Sequence, residues 1–120
     1  MQDFYKELGK LARTKRIISL LPQRIRFRVA KALYDYESAG IHGVDLVVPL
    51  QGNGLVILIS TKDIIGWKIY FFGEYETDTN SILEKYIKPD DVVIEAGANI
   101  GSETLLIARM LKQGRVYAFE

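Results

Sequence analysis

The residue pattern with the most chemical content is Glu95-Ala96-Gly97-Ala98-Asn99-Ile100-Gly101, which follows the unbroken apolar run Val92-Val93-Ile94. Glycines at 97 and 101 let a ligand approach the main chain, because no side chain intervenes. Asn99 stands where many nucleotide-binding loops carry a middle glycine. Asparagine tolerates left-handed backbone and adds a polar side chain. Glu120 lies nineteen residues beyond Gly101. An acidic residue at that offset, at the end of the next strand, is placed to accept hydrogen bonds from ribose hydroxyls. Glu95 then sets the expected charge of the ligand. The dinucleotide pattern G-x-G-x-x-G accommodates a pyrophosphate, and a carboxylate two positions before the first glycine repels one. Here the spacing is G-x-N-x-G, one residue shorter.

Such a carboxylate suits a cationic or amino-bearing ligand. S-adenosylmethionine carries an ammonium, a sulfonium and a ribose, and no phosphate. The charge pattern therefore favours it over NAD. Ordinary tight-turn glycines in some other α/β protein are the alternative.

The elements that would position this loop can be read on either side of it. Val92-Val93-Ile94 has the character of a strand buried on both faces of a parallel sheet. Ser102 through Lys112 carries apolar residues at helical spacing, and Gly114 is placed to end that helix. Arg115 through Phe119 reads as a second strand, closed by Glu120. Strand, glycine loop, helix, strand is a βαβ unit. Upstream, a helix is predicted around Thr79–Ile87, with Ile82, Leu83, Tyr86 and Ile87 as its buried face. Asp78 or the Ser81-x-x-Glu84 pair would cap it, and Pro89 would end it.

The middle of the chain reads as a small antiparallel β-meander. Leu46-Val47-Val48 ends at Pro49, which suits an edge. Gln51-Gly52-Asn53-Gly54 is a turn, and Leu55 through Ile59 is a β-branched strand. Trp67-Lys68-Ile69-Tyr70-Phe71-Phe72 is predicted as a third strand, closed by Gly73. Its aromatic residues fit core packing better than a stacking platform for a base or sugar. His42 falls in a loop and has no chemical partner nearby in sequence.

Residues 1–31 hold nine basic and two acidic side chains, net +7, while the remaining 89 carry −6. Helices are predicted from residue 3 to about 12, and from Pro22-Gln23 through Tyr36 to a stop at Gly40. The apolar cluster Ile17, Ile18, Leu20 and Leu21 lies between them. Arg24, Arg28 and Lys31 share one face of the second helix. A basic run of this kind is most often a solvated face. It leaves a contact with an anionic membrane surface open, and no nucleic-acid motif accompanies it.

Composition narrows the classes. The chain has 120 residues, 48% of them hydrophobic and 26% charged, as in a globular domain. It has no cysteine and one histidine. That excludes disulfides, thiolate zinc sites, cysteine nucleophiles and multi-histidine metal sites. No run approaches the ~18 apolar residues of a membrane span. The start, Met1-Gln2-Asp3-Phe4-Tyr5, lacks the order of a secretory signal, so a cytoplasmic setting is expected.

The segment Val92 through Gly101, then Thr104-Leu105-Leu106, then Gly114 through Glu120, resembles the FkbM-type methyltransferases. Phe72-Gly73-Glu74-Tyr75-Glu76 and Tyr86 through Asp91 resemble that family's approach to its first core strand. The likeness covers roughly residues 67–120. It implies a class I, Rossmann-like methyltransferase core, a mostly parallel sheet with helices on both faces. It also implies S-adenosylmethionine as cofactor, and methyl transfer to a hydroxyl oxygen on a sugar, glycan or small natural-product acceptor. By position, Gly97, Ala98, Asn99 and Gly101 would surround the methionine and adenosine portions. Glu95 would accept from the amino end, directly or through water, and Glu120 would bind the ribose. The family more often has aspartate where Glu95 stands. Tyr75 and Glu76 are candidates to line the site. No catalytic base and no metal ligand can be assigned.

The expected organisation is a basic helical arm over 1–40, a β-meander lead-in over 41–76, and the start of the cofactor-binding domain over 77–120. The α/β core is expected to be truncated after its first βαβ unit, which would leave this chain inactive alone. A non-catalytic fragment with at most a binding role is the alternative, followed by a fragment of an NAD-dependent oxidoreductase.

Overall fold

The computed structural model describes residues 1–33, 43–50 and 54–120. His42, the Gln51-Gly52-Asn53 turn and the predicted end of the second helix at Tyr36–Gly40 lie outside the described residues. The chain is α/β and divides into two compact units, Met1–Gly73 and Glu74–Glu120.

In the first unit α1 spans Gln2–Ser19 and α2 spans Gln23–Leu33. α1 runs on into the apolar cluster that the sequence places between two helices, taking in Ile17 and Ile18. Leu11, Thr14 and Ile18, spaced by three and four, form its buried stripe. Beyond its end, the Leu20 and Leu21 amides bond back to the carbonyls of Ile17 and Ile18. The Arg26 guanidinium reaches from α2 to the carbonyls of Leu21 at 2.8 Å and Ser19 at 3.4 Å. That sets a cation at the negative end of the α1 dipole.

β1 (Asp45–Leu50) and β2 (Leu55–Ser60) pair antiparallel, with Asp45 opposite Ser60 and Leu50 opposite Leu55. Alternation puts Val48, Leu50, Ile57 and Ile59 on the buried face and leaves Val47, Val56 and Leu58 exposed. The hairpin base is tied by Thr61, which is fully buried. Its hydroxyl accepts from the Val44 amide at 2.9 Å, and its amide donates to the Val44 carbonyl at 3.0 Å.

The predicted third strand of the meander is a helix, α3 (Ile64–Phe72). A short run that is apolar apart from Lys68 fits a buried helix as well as a buried strand, so periodicity could not separate them. The flanks decide for the helix. Asp63 is the N-cap, its carboxylate accepting from the Gly66 amide at 2.7 Å. Gly73 closes the other end in left-handed backbone at φ 85°. Gly66 lies against the Ser60 carbonyl, where a Cβ would collide. α3 packs on both strands. Trp67, Ile69, Tyr70 and Phe71 are buried, and Phe27 of α2 meets Trp67 edge-on at 5.8 Å. The aromatic run is thus core.

In the second unit α4 spans Thr77–Tyr86, β3 Val92–Ala96, α5 Ser102–Met110 and β4 Arg115–Phe119. β3 and β4 pair parallel, with Val92 opposite Arg115 and Ala96 opposite Phe119. α4 starts before either predicted cap, at Glu76, whose own backbone is left-handed. Its predicted buried face is also corrected. Ile82 and Tyr86 are exposed, and Asn80 is the buried residue of this helix. β3 is not buried on both faces. Val93 and Glu95 are half-buried, while Val92 is 68% exposed and Ile94 is 74% exposed. α5 packs on β4, so one side of the pair is covered.

Gly114 does not end α5, which closes three residues earlier at Leu111. It marks a close approach instead, since a Cβ there would collide with the Asp91 carbonyl oxygen. The Pro89 carbonyl accepts from the amides of Lys112, Gln113 and Gly114, and the Asp91 carbonyl accepts from Arg115 at 3.0 Å. These bonds hold the start of β4 beside the start of β3.

Candidate cofactor-binding loop

The loop between β3 and α5 alternates handedness. Gly97 has φ 78°, Asn99 φ 51° and Gly101 φ 84°. Glycine adopts that region freely, and asparagine is among the few other residues that do so at little cost. Space around Gly97 is open, with nothing within 4 Å of an added Cβ. The glycine is therefore required by backbone conformation, not by crowding within the chain.

β4 holds the loop in place. The amides of Gly97 and Ala98 both donate to the Phe119 carbonyl, at 2.8 and 3.0 Å. The Asn99 amide donates to Glu120 Oε2 at 2.6 Å. The Gly101 amide closes a turn onto the Ala98 carbonyl at 2.8 Å, and Gly101 is the N-cap of α5. Ala98 is buried under the turn, while Gly97, Asn99 and Glu120 are exposed. Parallel pairing thus brings Gly97, Ala98, Asn99, Gly101 and Glu120 to one end of the β3–β4 pair. That is the carboxyl end of both strands, where ligands of open α/β sheets bind.

Glu95 sits one strand position before the loop and is half-buried. Its Oε2 accepts from Thr104 Oγ1 of α5 at 2.5 Å. This carboxylate is oriented by the helix that follows the loop. Sequence reasoning missed a third carboxylate, Glu103, in the first turn of α5. Its Oε2 accepts from Ser102 Oγ at 2.7 Å, and its Oε1 is buried without a hydrogen-bond partner among the described residues. An acidic residue two positions after a glycine N-cap was the available signal, since carboxylates favour the positive end of a helix. Residues 95–104 hold two carboxylates and no basic side chain. A pyrophosphate meets repulsion here, and a cationic group meets attraction.

Glu76 and Tyr75 engage α4. Glu76 Oε2 accepts from Thr79 Oγ1 at 3.1 Å, and the Tyr75 carbonyl accepts from Asn80 Nδ2 at 3.0 Å. A shallow groove of about 360 Å³ is lined by Leu111, Gly114, Arg115 and Tyr117. It lies at the amino end of β4, away from the glycine loop. Among the described residues no cluster of histidine, aspartate or glutamate is arranged to hold a metal ion.

No protein-family model, curated protein or solved structure matches the chain. The functional reading therefore rests on the chemistry of the loop and on what its motif resembles.

Proposed function

We propose that the loop binds S-adenosylmethionine, and that the protein is a methyltransferase acting on a hydroxyl of a small-molecule or glycan acceptor. The observation that carries the reading is Glu120. Its carboxylate is held at the carboxyl end of β4 by the Asn99 amide, beside three left-handed positions in the loop. A carboxylate has two acceptor oxygens, and this bond uses one of them.

The donor set suits the ligand. Glu120 accepts from vicinal ribose hydroxyls. Glu95, oriented by Thr104, supplies negative charge toward the amino end. The loop at Gly97, Ala98, Asn99 and Gly101 presents main chain to the ligand, and the α5 N-terminus carries no phosphate-binding lysine or arginine. When bound, the cofactor supplies an electrophilic methyl group on a sulfonium. The chain's own contribution is binding and orientation, which in displacement reactions accounts for much of the rate. A cytoplasmic setting, expected for a chain without cysteine, belongs to the same proposal.

Isothermal titration calorimetry tests it. S-adenosylmethionine and S-adenosylhomocysteine should bind saturably, and NAD should not. Glu120→Ala should weaken binding about tenfold or more, since hydrogen bonds to a charged group are worth ~1.5–3 kcal/mol. Binding of NAD in preference, or affinity unchanged by Glu120→Ala, would overturn the reading.

A further inference from the structure

α1 has a second face with no role in packing. At 100° per residue, Leu11, Thr14 and Ile18 define its inner side. Tyr5, Lys6, Arg13, Arg16, Ile17 and Leu20 fall on the opposite side, within an arc of about 120°. All six are exposed. Tyr5 is 65% accessible, Ile17 49% and Leu20 82%. The two acids of the helix, Asp3 and Glu7, lie outside this arc. The arc therefore sets three long cationic side chains beside three large apolar ones, toward both ends of the helix, with Gln2 and Gly9 as its other members and Leu20 at the C-cap.

Two partner classes could take the positive charge, and the apolar residues decide between them. A nucleic-acid backbone rewards basic and polar groups and gives Ile17 and Leu20 nothing to bury against. The boundary between lipid headgroups and acyl chains takes both kinds. Cationic groups meet anionic headgroups while tyrosine and aliphatic side chains enter the apolar layer below. Among the described residues no helix is long and apolar enough to cross a membrane, so such a contact would lie along the surface.

We propose that the outward arc of α1 docks on an anionic membrane surface, with the helix axis in the headgroup plane. The attraction is local. The chain as a whole carries +1, while residues 1–31 carry +7. Charge this concentrated acts within a Debye length of the surface, about 8–10 Å at moderate salt. This proposal is independent of what the glycine loop binds.

Vesicle co-sedimentation of the whole chain tests it. The probes are phosphatidylcholine vesicles with about 30% phosphatidylserine, and phosphatidylcholine alone. The chain should sediment with the first and not the second, and raising salt from about 0.1 to 0.5 M should release it. The triple variant Lys6→Gln/Arg13→Gln/Arg16→Gln should lose about five-fold per charge, roughly a hundred-fold in all. Leu20→Ser should weaken binding while leaving its salt dependence intact. All four positions are exposed, so circular dichroism should show every variant folded. Three outcomes overturn the proposal. One is no sedimentation with anionic vesicles, which makes the arc a solvated face. Another is equal binding to both vesicle types. The third is tighter binding to a duplex oligonucleotide that is indifferent to Leu20→Ser.

Discussion

Gly97 and Gly114 should both resist alanine, for opposite reasons, and the two costs should differ in size. At Gly97 the backbone is left-handed at φ 78°, and nothing lies within 4 Å of an added Cβ. The cost is conformational, about 1–2 kcal/mol for an L-residue in that region. The reduced freedom of the unfolded chain returns about 0.4–1 kcal/mol. A net loss of about 1 kcal/mol follows for Gly97→Ala. Gly97→Asn should cost less, because asparagine tolerates that backbone region. Gly114 has no such backbone strain, but its Cβ would collide with the Asp91 carbonyl oxygen, and that carbonyl accepts the Arg115 amide at 3.0 Å. Relief requires the start of β4 to move away from β3. A loss at or above the ~1–3 kcal/mol of overpacking is expected. Trp67 is the only tryptophan and belongs to the other unit, so its fluorescence is the wrong probe. Hydrogen exchange at the β3 and β4 amides reads the right region. Gly97→Ala should speed exchange modestly and Gly114→Ala more strongly. Equal protection in Gly114→Ala and wild type would refute the close-approach argument. A larger cost at Gly97 than at Gly114 would refute the ranking.

Two further outcomes follow from the side chains. Thr104→Val keeps the shape of the side chain but removes the donor to Glu95 Oε2, so exchange protection in α5 should fall by about 1–2 kcal/mol, with Thr104→Ser restoring most of it. The second concerns alkaline pH, where two burial shifts of opposite sign meet. Lys15 lies 4.6 Å from the Tyr70 ring centroid, and burial lowers its pKa below 10.5 while raising that of Tyr70 above 10.0. In the window just below 10.5 the unfolded chain holds the Lys15 proton more tightly, so this group makes stability rise with pH. The Tyr70 contribution is fully present below 10.0 and is lost as pH rises through its raised value. Denaturant midpoints of Lys15→Met should therefore lose the rise and keep the fall. An unchanged pH profile would refute the assignment to Lys15.

The βαβ unit was legible because its signals are local. An apolar run, two glycines and a helical spacing each prescribe their own backbone, and none depends on distant packing. The aromatic segment was not legible in that way. Trp67 through Phe72 is apolar except for Lys68 and shows no clear period, so its state is decided by the Asp63 cap and by the contact of Gly66 with Ser60. The role of Gly114 was hidden for a related reason. A glycine after a helix reads as a cap, and only the tertiary path of Asp91 reveals the contact it permits. Thr104 and Glu103 escaped because their partners, a strand carboxylate and a neighbouring serine, give no periodic signal. The faces of α4 and β3 depend on what covers them, which spacing within one element does not encode.

The two carboxylates proposed to hold the ligand are built differently, and the difference can be used against the proposal. Glu120 is exposed and fixed by a main-chain amide of the loop, so its position depends on backbone alone. Glu95 is half-buried and fixed by a side chain of α5. If Glu120 serves the ribose and Glu95 the amino end, shortened ligands should separate them. Adenosine retains the ribose and lacks the amino-acid portion. Glu120→Ala should then weaken adenosine and S-adenosylmethionine alike. Glu95→Gln should weaken S-adenosylmethionine and leave adenosine unchanged. Two opposite charges about 5 Å apart interact by about 3 kcal/mol at an effective dielectric constant of 20, and half-exposure brings this nearer 1 kcal/mol. A loss of roughly five-fold in affinity is therefore expected for Glu95→Gln. Thr104→Val, which frees the same carboxylate, should mimic it in direction. Equal losses for adenosine and S-adenosylmethionine on Glu95→Gln would mean that this residue supports the loop and does not meet the ligand's charge. The choice of a cationic ligand over a pyrophosphate would then rest on Glu103 and Glu120 alone.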